Sequence, residues 1–255
     1  MTNEYRRNKA VGIIISIITA IIAILLSDFI GTNVLGFEKS PISPIIFAIL
    51  IGLLLNNFWN RLEKFDFGFK FCIKYLLKLG IIFLGIRLSL FDFLQYGSKS
   101  LIVIIPCIVS SIILIFFLKD KFQVSENLSL LIAVGTSICG ATAIVALAPS
   151  INAKKTEITY AIANITVFGL LAMFLYPVLS NMIFSVNDLS VGLFLGSSIH
   201  ETAQVAGAGM IYAEQYSRQD VVGIATLTKL VRNSLMVIVI PYLAHRSLSK
   251  QDANL

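Results

Sequence analysis

The sequence predicts an all-α polytopic membrane protein of about eight transmembrane or re-entrant helical segments with an internal repeat. Three observations carry that reading. Of 255 residues, 57% are hydrophobic and only 13% charged, against roughly 25% charged in a soluble domain. The apolar residues gather in blocks near the ~20 residues that cross a bilayer as a helix. Those blocks are unbroken, as in VGIIISIITAIIAILL (11–26), and do not alternate as barrel strands would. A backbone in lipid must satisfy its own hydrogen bonds, so the blocks are helices.

The eight blocks are 11–31, 41–58, 69–90, 100–118, 126–150, 156–179, 189–213 and 221–246. They leave only short loops, so residues 1–255 read as a single integral membrane domain. The first block follows Arg6, Arg7 and Lys9 as a signal peptide would. It is too long for an h-region and no small-residue cleavage site follows, so it is expected to remain as a span. In the third block Lys74 and Lys78 predict an interfacial turn, and Arg87 near its end is placed to snorkel. No chemistry is expected of these three. Cys72, Cys107 and Cys139 show neither metal-ligand spacing nor a pairing pattern and read as small apolar filler. The net charge of +6 comes from basic residues that anchor loops in the cytoplasm, so nucleic acid is not an expected partner.

Two stretches match each other. GTSICGATAIVA (135–146) and GSSIHETAQVAG (196–207) share Gly, Ser and Ile in register, then Thr, Ala and Val one position earlier in the second copy. Each is followed by an apolar span expected to end before a proline, Pro177 or Pro241. The repeat units are thus about 126–179 and 189–246. Close helix packing asks for small residues about every fourth position. Here they are nearly consecutive, which weakens a helix and offers backbone groups and hydroxyls. Secondary transporters bind substrate where two repeat-related helices break near the midplane.

GTSICGATAIVALAPS (135–150), GSSIHETAQVAGAG (196–209) and TLTKLVRNSLM (226–236) resemble the signature segments of the YeiH-type sulfate exporter family, the UPF0324 membrane proteins. The resemblance runs from about residue 40 to 246 and includes LLKLGIIFLGIRLSL (76–90). It implies a secondary transporter of the inner membrane that exports sulfate or a small organosulfur anion, with inverted repeats and unwound crossing helices. Members of that family continue for further helices beyond the point matching Pro241, whereas this chain ends at Leu255. It is therefore expected to be a shortened member or an incomplete gene product, and the alternative function is a transport-inactive membrane subunit, a pore or a scaffold protein.

Ionisable residues at depth are costly and point to function. Of 14 acidic residues only Glu201 lies well inside a block, with His200 beside it. The last block carries Lys229 and Arg232, which share one helical face with Thr226 and Asn233 at about 100° per residue. Two cations against one carboxylate suit a small anion, with arginine as a planar fork and lysine as a point charge. The expected binding residues are Lys229, Arg232, Asn233, Thr226, Thr136, Ser137, Thr142, Ser197, Ser198 and Thr202, with Glu201 and His200 in coupling. The competing reading is a buried ion pair between Glu201 and one cation. His200-Glu201 resembles the start of a zinc-protease motif, but position 204 is Gln. No metal, cofactor or enzymatic activity is expected. The expected partners are the bilayer, a small anion and further copies of the chain.

The positive-inside rule places the N-terminus in the cytoplasm. If all eight blocks span, Lys154-Lys155 falls outside. If 126–150 and 189–213 are re-entrant hairpins, it falls inside and the two repeat units take opposite topology.

Overall fold

The computed structural model describes every residue except 1–2, 31–32, 34–43, 59–61, 77–78, 81–89, 185–186 and 253–255. Lys78 and Arg87 therefore lie outside the described residues. Among those described there is no strand, and four helices are long and apolar enough to cross a membrane: Glu4–Phe29, Tyr96–Lys121, Lys155–Phe184 and Asp220–Ser247. Their outer faces are apolar, with Ile102, Phe117 and Val237 at 74%, 76% and 79% exposure. In water such faces would be unsatisfied, whereas lipid suits them. The chain is an all-α polytopic membrane protein.

It divides into two compact units, Met1–Arg87 with Met210–Gln219, and Leu88–Gly209 with Asp220–Leu255. In the first unit, helices α1 (Asn3–Phe29) and α2 (Pro44–Phe58) pack together, and α1 also packs on the short α3 (Asp66–Phe71). A Cβ on Gly68 would lie 2.5 Å from the Lys9 carbonyl, so α1 and α3 approach through glycines. Exposed Lys74 sits in the π-helical turn Cys72–Leu76 that follows.

The second unit holds the repeats except for Met210–Gln219 of the second copy. Helix α4 (Leu90–Lys121) leads into α5 (Glu126–Ser137), a break, α6 (Ala141–Leu147) and a 3-10 turn (Ala148–Ile151). Ser125 caps α5 by accepting from the Leu128 N–H, and its hydroxyl donates to Glu157 Oε1 at 2.6 Å. The other carboxylate oxygen of Glu157 accepts from the Lys154 N–H at 2.9 Å. One carboxylate thus ties the start of the segment 125–154 to its end. The segment goes in and comes back on one side, and Ile144 packs over Gly135 at van der Waals limits.

Helix α7 (Lys155–Phe184) then crosses the unit, at 1.5 Å per residue about 45 Å long. It runs through Pro177, contrary to the expected stop, and α11 (Met236–Asp252) likewise runs through Pro241. Within a membrane a neighbouring hydroxyl or helix can satisfy the groups a proline frees, so the helix need not end. At the far end of α7, α8 (Asp188–Ser198) enters, and α9 (Thr202–Tyr216) leaves. Helix α10 (Asp220–Ser234) shows how they run. Gly192 abuts Ile224, Gly196 abuts Ala225 and Thr228, and Gly209 abuts Val222. The chain passes alongside α10 inbound at Gly192–Gly196 and is back at its start by Gly209. The second segment is also a hairpin, entered from the opposite end of the unit to the first.

Both tips reach the middle of α7. Cβ atoms at Gly135 and Gly140 would touch Ile165, and Gln204 lies against Gly169 and donates to the Thr166 carbonyl. A core of buried residues from α4, both arms of the first hairpin, α7 and α11 surrounds that level, with Ile138, Ile144, Ile151 and Leu243 fully enclosed.

Candidate functional site

Each tip breaks its helix by a different device. At the first, Gly140 takes φ +71° and ψ −132°, a backbone region that only glycine adopts at little cost. At the second, Ile199 is extended and Glu201 precedes α9 as its N-cap. The Glu201 N–H is held by Gln204 Oε1 at 3.4 Å, the return half of a capping box. The position that excludes a zinc motif is thus a helix-start residue. The Gly-Thr-Ser and Gly-Ser-Ser runs themselves stay helical, as the last turns of α5 and α8. Their break follows one residue later.

The last turn of a helix leaves carbonyls without partners. Here Lys229 and Arg232 take them. Lys229, fully buried, donates to the carbonyls of Ile138 at 2.8 Å and Ile199 at 3.0 Å. Arg232, 3% exposed, donates from Nε to the Ser137 carbonyl at 2.8 Å and from Nη1 to that of Ser197 at 2.6 Å. Its Nη2 donates to the Thr136 carbonyl. Each cation therefore bridges both hairpins, and faces the negative ends of two helices. Among the described residues no ion pair joins Glu201 to either cation, so the competing ion-pair reading is not realised.

The other expected residues scatter around this junction. Thr226 is buried on the same face of α10, its hydroxyl without a partner among the described residues, and half-buried Asn233 donates to Thr202 Oγ1 at 3.1 Å. Ser137 and Ser197 are buried, but their hydroxyls fold back on the carbonyls of Val134 and Phe194. Their contribution at the junction is backbone. Thr136, Ser198 and Thr202 are half-buried, while Thr142 is exposed and apart from the rest. His200 is half-buried, and its Nδ1 makes no hydrogen bond among the described residues. It lines a cavity of about 490 Å³ between α5 and α7, together with Thr136, Asn164, Phe168 and Tyr176. The Glu201 side chain lies against Gly140, with its Cγ 2.8 Å from where a Cβ there would be.

Three features escape the sequence reading. Gln204 belongs to the tip, and with Glu201 in place of the usual Ser or Thr cap no capping-box signature marked it. The buried hydroxyls of Ser100 and Thr228 pair at 3.0 Å across α4 and α10. Gly192 and Gly196, four apart, are helix-packing glycines of the kind expected in membranes.

No solved structure matches the chain. A family described as "Conserved hypothetical protein 698" matches residues 11–254. A UPF0324 membrane protein of Streptococcus agalactiae is 33% identical over 231 residues, covering 91% of this chain and 66% of that one. One from Clostridium tetani is 31% identical over 244 residues, 96% of this chain and 68% of its own. The UPF0324 inner membrane protein YeiH of Escherichia coli K12 is 31% identical over 228 residues, 88% and 64% respectively. The chain spans about two thirds of the length of these relatives. Matched over nearly all its residues by that family and by these proteins, the chain belongs to the UPF0324 membrane protein family.

Proposed function

We propose that the protein is a secondary transporter that moves a small anion across the inner membrane, with its N-terminus in the cytoplasm. The observation that carries this is the meeting of two oppositely entered hairpins, tip to tip, around two buried cations. Inverted repeats that cross at mid-depth are the architecture of alternating access. The anion reading follows from charge and donors. Two cations stand against one carboxylate, Glu201. A guanidinium has five N–H groups and an ammonium three, so three bonds from Arg232 and two from Lys229 leave donors on both. The Thr226 hydroxyl and His200 Nδ1, without partners among the described residues, add polar groups near the tips. Sulfate or a small organosulfur anion, the substrate class suggested by the family resemblance, suits such a donor set. Glu201 and His200 are the groups able to couple transport to protons.

The test is flux into proteoliposomes with a panel of sulfate, a short alkanesulfonate, phosphate and chloride. Uptake of one anion above protein-free vesicles is expected, reduced by Lys229→Ala and Arg232→Ala. A second reading is favoured by the same bonds: all five end on backbone carbonyls, as in a purely structural cross-link. A protein that moves none of the panel would support that reading, a transport-inactive membrane subunit.

A further inference from the structure

The carbonyls that Lys229 and Arg232 engage are matched positions of the repeat. Gly135 to Ile138 aligns with Gly196 to Ile199, which pairs Ile138 with Ile199 and Thr136 with Ser197. Lys229 takes the first pair and Arg232 the second, with Ser137 as an extra acceptor. Lys229 Nζ therefore sits where a two-fold axis relating the hairpins would pass, held at 2.8 and 3.0 Å by equivalent oxygens. Each oxygen belongs to the C-terminal end of an inbound helix, where unpaired carbonyls and the helix dipole both favour positive charge. The acceptors are neutral, hard oxygens, the ligand type of small hard cations. In transporters built from broken helices, such paired ends coordinate the coupling cation.

We propose that the hairpin crossing is a monovalent-cation site whose resident cation is the Lys229 ammonium, tethered by its own side chain. Arg232 fills the adjoining pair as a planar cation. The crossing then needs no dissolved sodium to hold its helix ends together, and removal of the ammonium uncovers a site for a small cation. This role in joining the tips does not depend on the transported substrate.

The test uses the full chain in detergent, melted in chloride salts of sodium, potassium, ethylammonium and N-methylglucamine at equal ionic strength. The parent should melt at one temperature in all four. Lys229→Ala should lose on the order of 10 °C in N-methylglucamine. It should regain at least half of that in ethylammonium, which restores the amine and part of the stem, and a smaller share in sodium or potassium. Lys229→Met fills the stem's space without charge, and should be destabilised equally in every salt. An alanine variant that melts alike in all four salts overturns the proposal, as does a methionine variant as stable as the parent. Should the alanine variant not survive purification, its membrane yield from cells grown with and without ethylammonium takes the place of melting, and equal yields overturn it.

Discussion

The two hairpins are alike up to their tips and different beyond them. As far as Ile138 and Ile199, both copies play the same part. In each, an inbound helix carries a Gly-Thr-Ser or Gly-Ser-Ser turn to its end and hands carbonyls to Lys229 and Arg232. Two residues later they diverge. Both residues cap the returning helix, but Gly140 does so through a positive φ and with no side chain, whereas the Glu201 side chain fills the space beside Gly140. The shared part is backbone chemistry and the divergent part is side-chain chemistry. Repetition supplies the frame here, and departure from repetition supplies the ionisable group.

That comparison can be broken first at its base, the opposite entry of the hairpins. In a background lacking the three native cysteines, single cysteines at Lys121, Lys154 and Asn187 are labelled with a membrane-impermeant thiol reagent. All-or-none behaviour is expected: Lys121 and Lys154 report the same side, and Asn187 the other. Labelling that separates Lys121 from Lys154 would mean that 126–150 spans and the repeats are not inverted.

Next in size is the difference at the tips. Gly140→Ala places a Cβ 2.8 Å from Glu201 Cγ and forces alanine to φ +71°, a backbone cost of about 1–3 kcal/mol before the contact is counted. A large fall in melting temperature is expected. Adding Glu201→Ala should recover only the part due to contact. Full recovery would show that the backbone at Gly140 is unstrained.

A smaller effect should follow from the shape of Arg232, which bonds two carbonyls of the first hairpin and one of the second. Arg232→Lys keeps the charge but cannot span that fork. Amide hydrogen exchange should rise around Thr136–Gly140 more than around Ser197–Glu201. Equal rises would mean the cation holds both hairpins equally.

The smallest structural change is Glu201→Gln, which is nearly isosteric. Melting should barely move, while the pH dependence of anion flux should flatten if this carboxyl takes up the coupling proton. An unchanged pH profile removes Glu201 from that role and makes His200→Gln the next variant to measure.

Much of this was legible in the residues because membranes simplify the rules. Unbroken apolar runs marked the four long helices, and the Lys154-Lys155 pair kept hairpins open as one of two topologies. The cationic face of α10 was equally plain: Thr226, Lys229 and Arg232 are buried while Leu230 stays 42% exposed. What the buried cations bind was not legible. Sequence names side chains, and the acceptors at this junction are backbone carbonyls, which every residue has and only a broken helix leaves free. The hydroxyls of Ser137 and Ser197 drew attention for the same reason, yet they turn back on their own helices. Prolines misled at 177 and 241 because the helix-breaking rule belongs to water, which hydrates the backbone groups a helix end sets free, whereas in lipid ending the helix would leave more of them unsatisfied.

The contact between Gly140 and Glu201 has a consequence for how such a protein can arise. A residue near a two-fold axis faces its own image, so two identical subunits would there set glutamate against glutamate, or glycine against glycine. The first crowds two carboxylates into space for one, and the second leaves the centre with no acid at all. A polypeptide holding both halves in tandem can change one without the other. Holding both halves in one chain thus permits glutamate in one half and glycine at the matched position of the other.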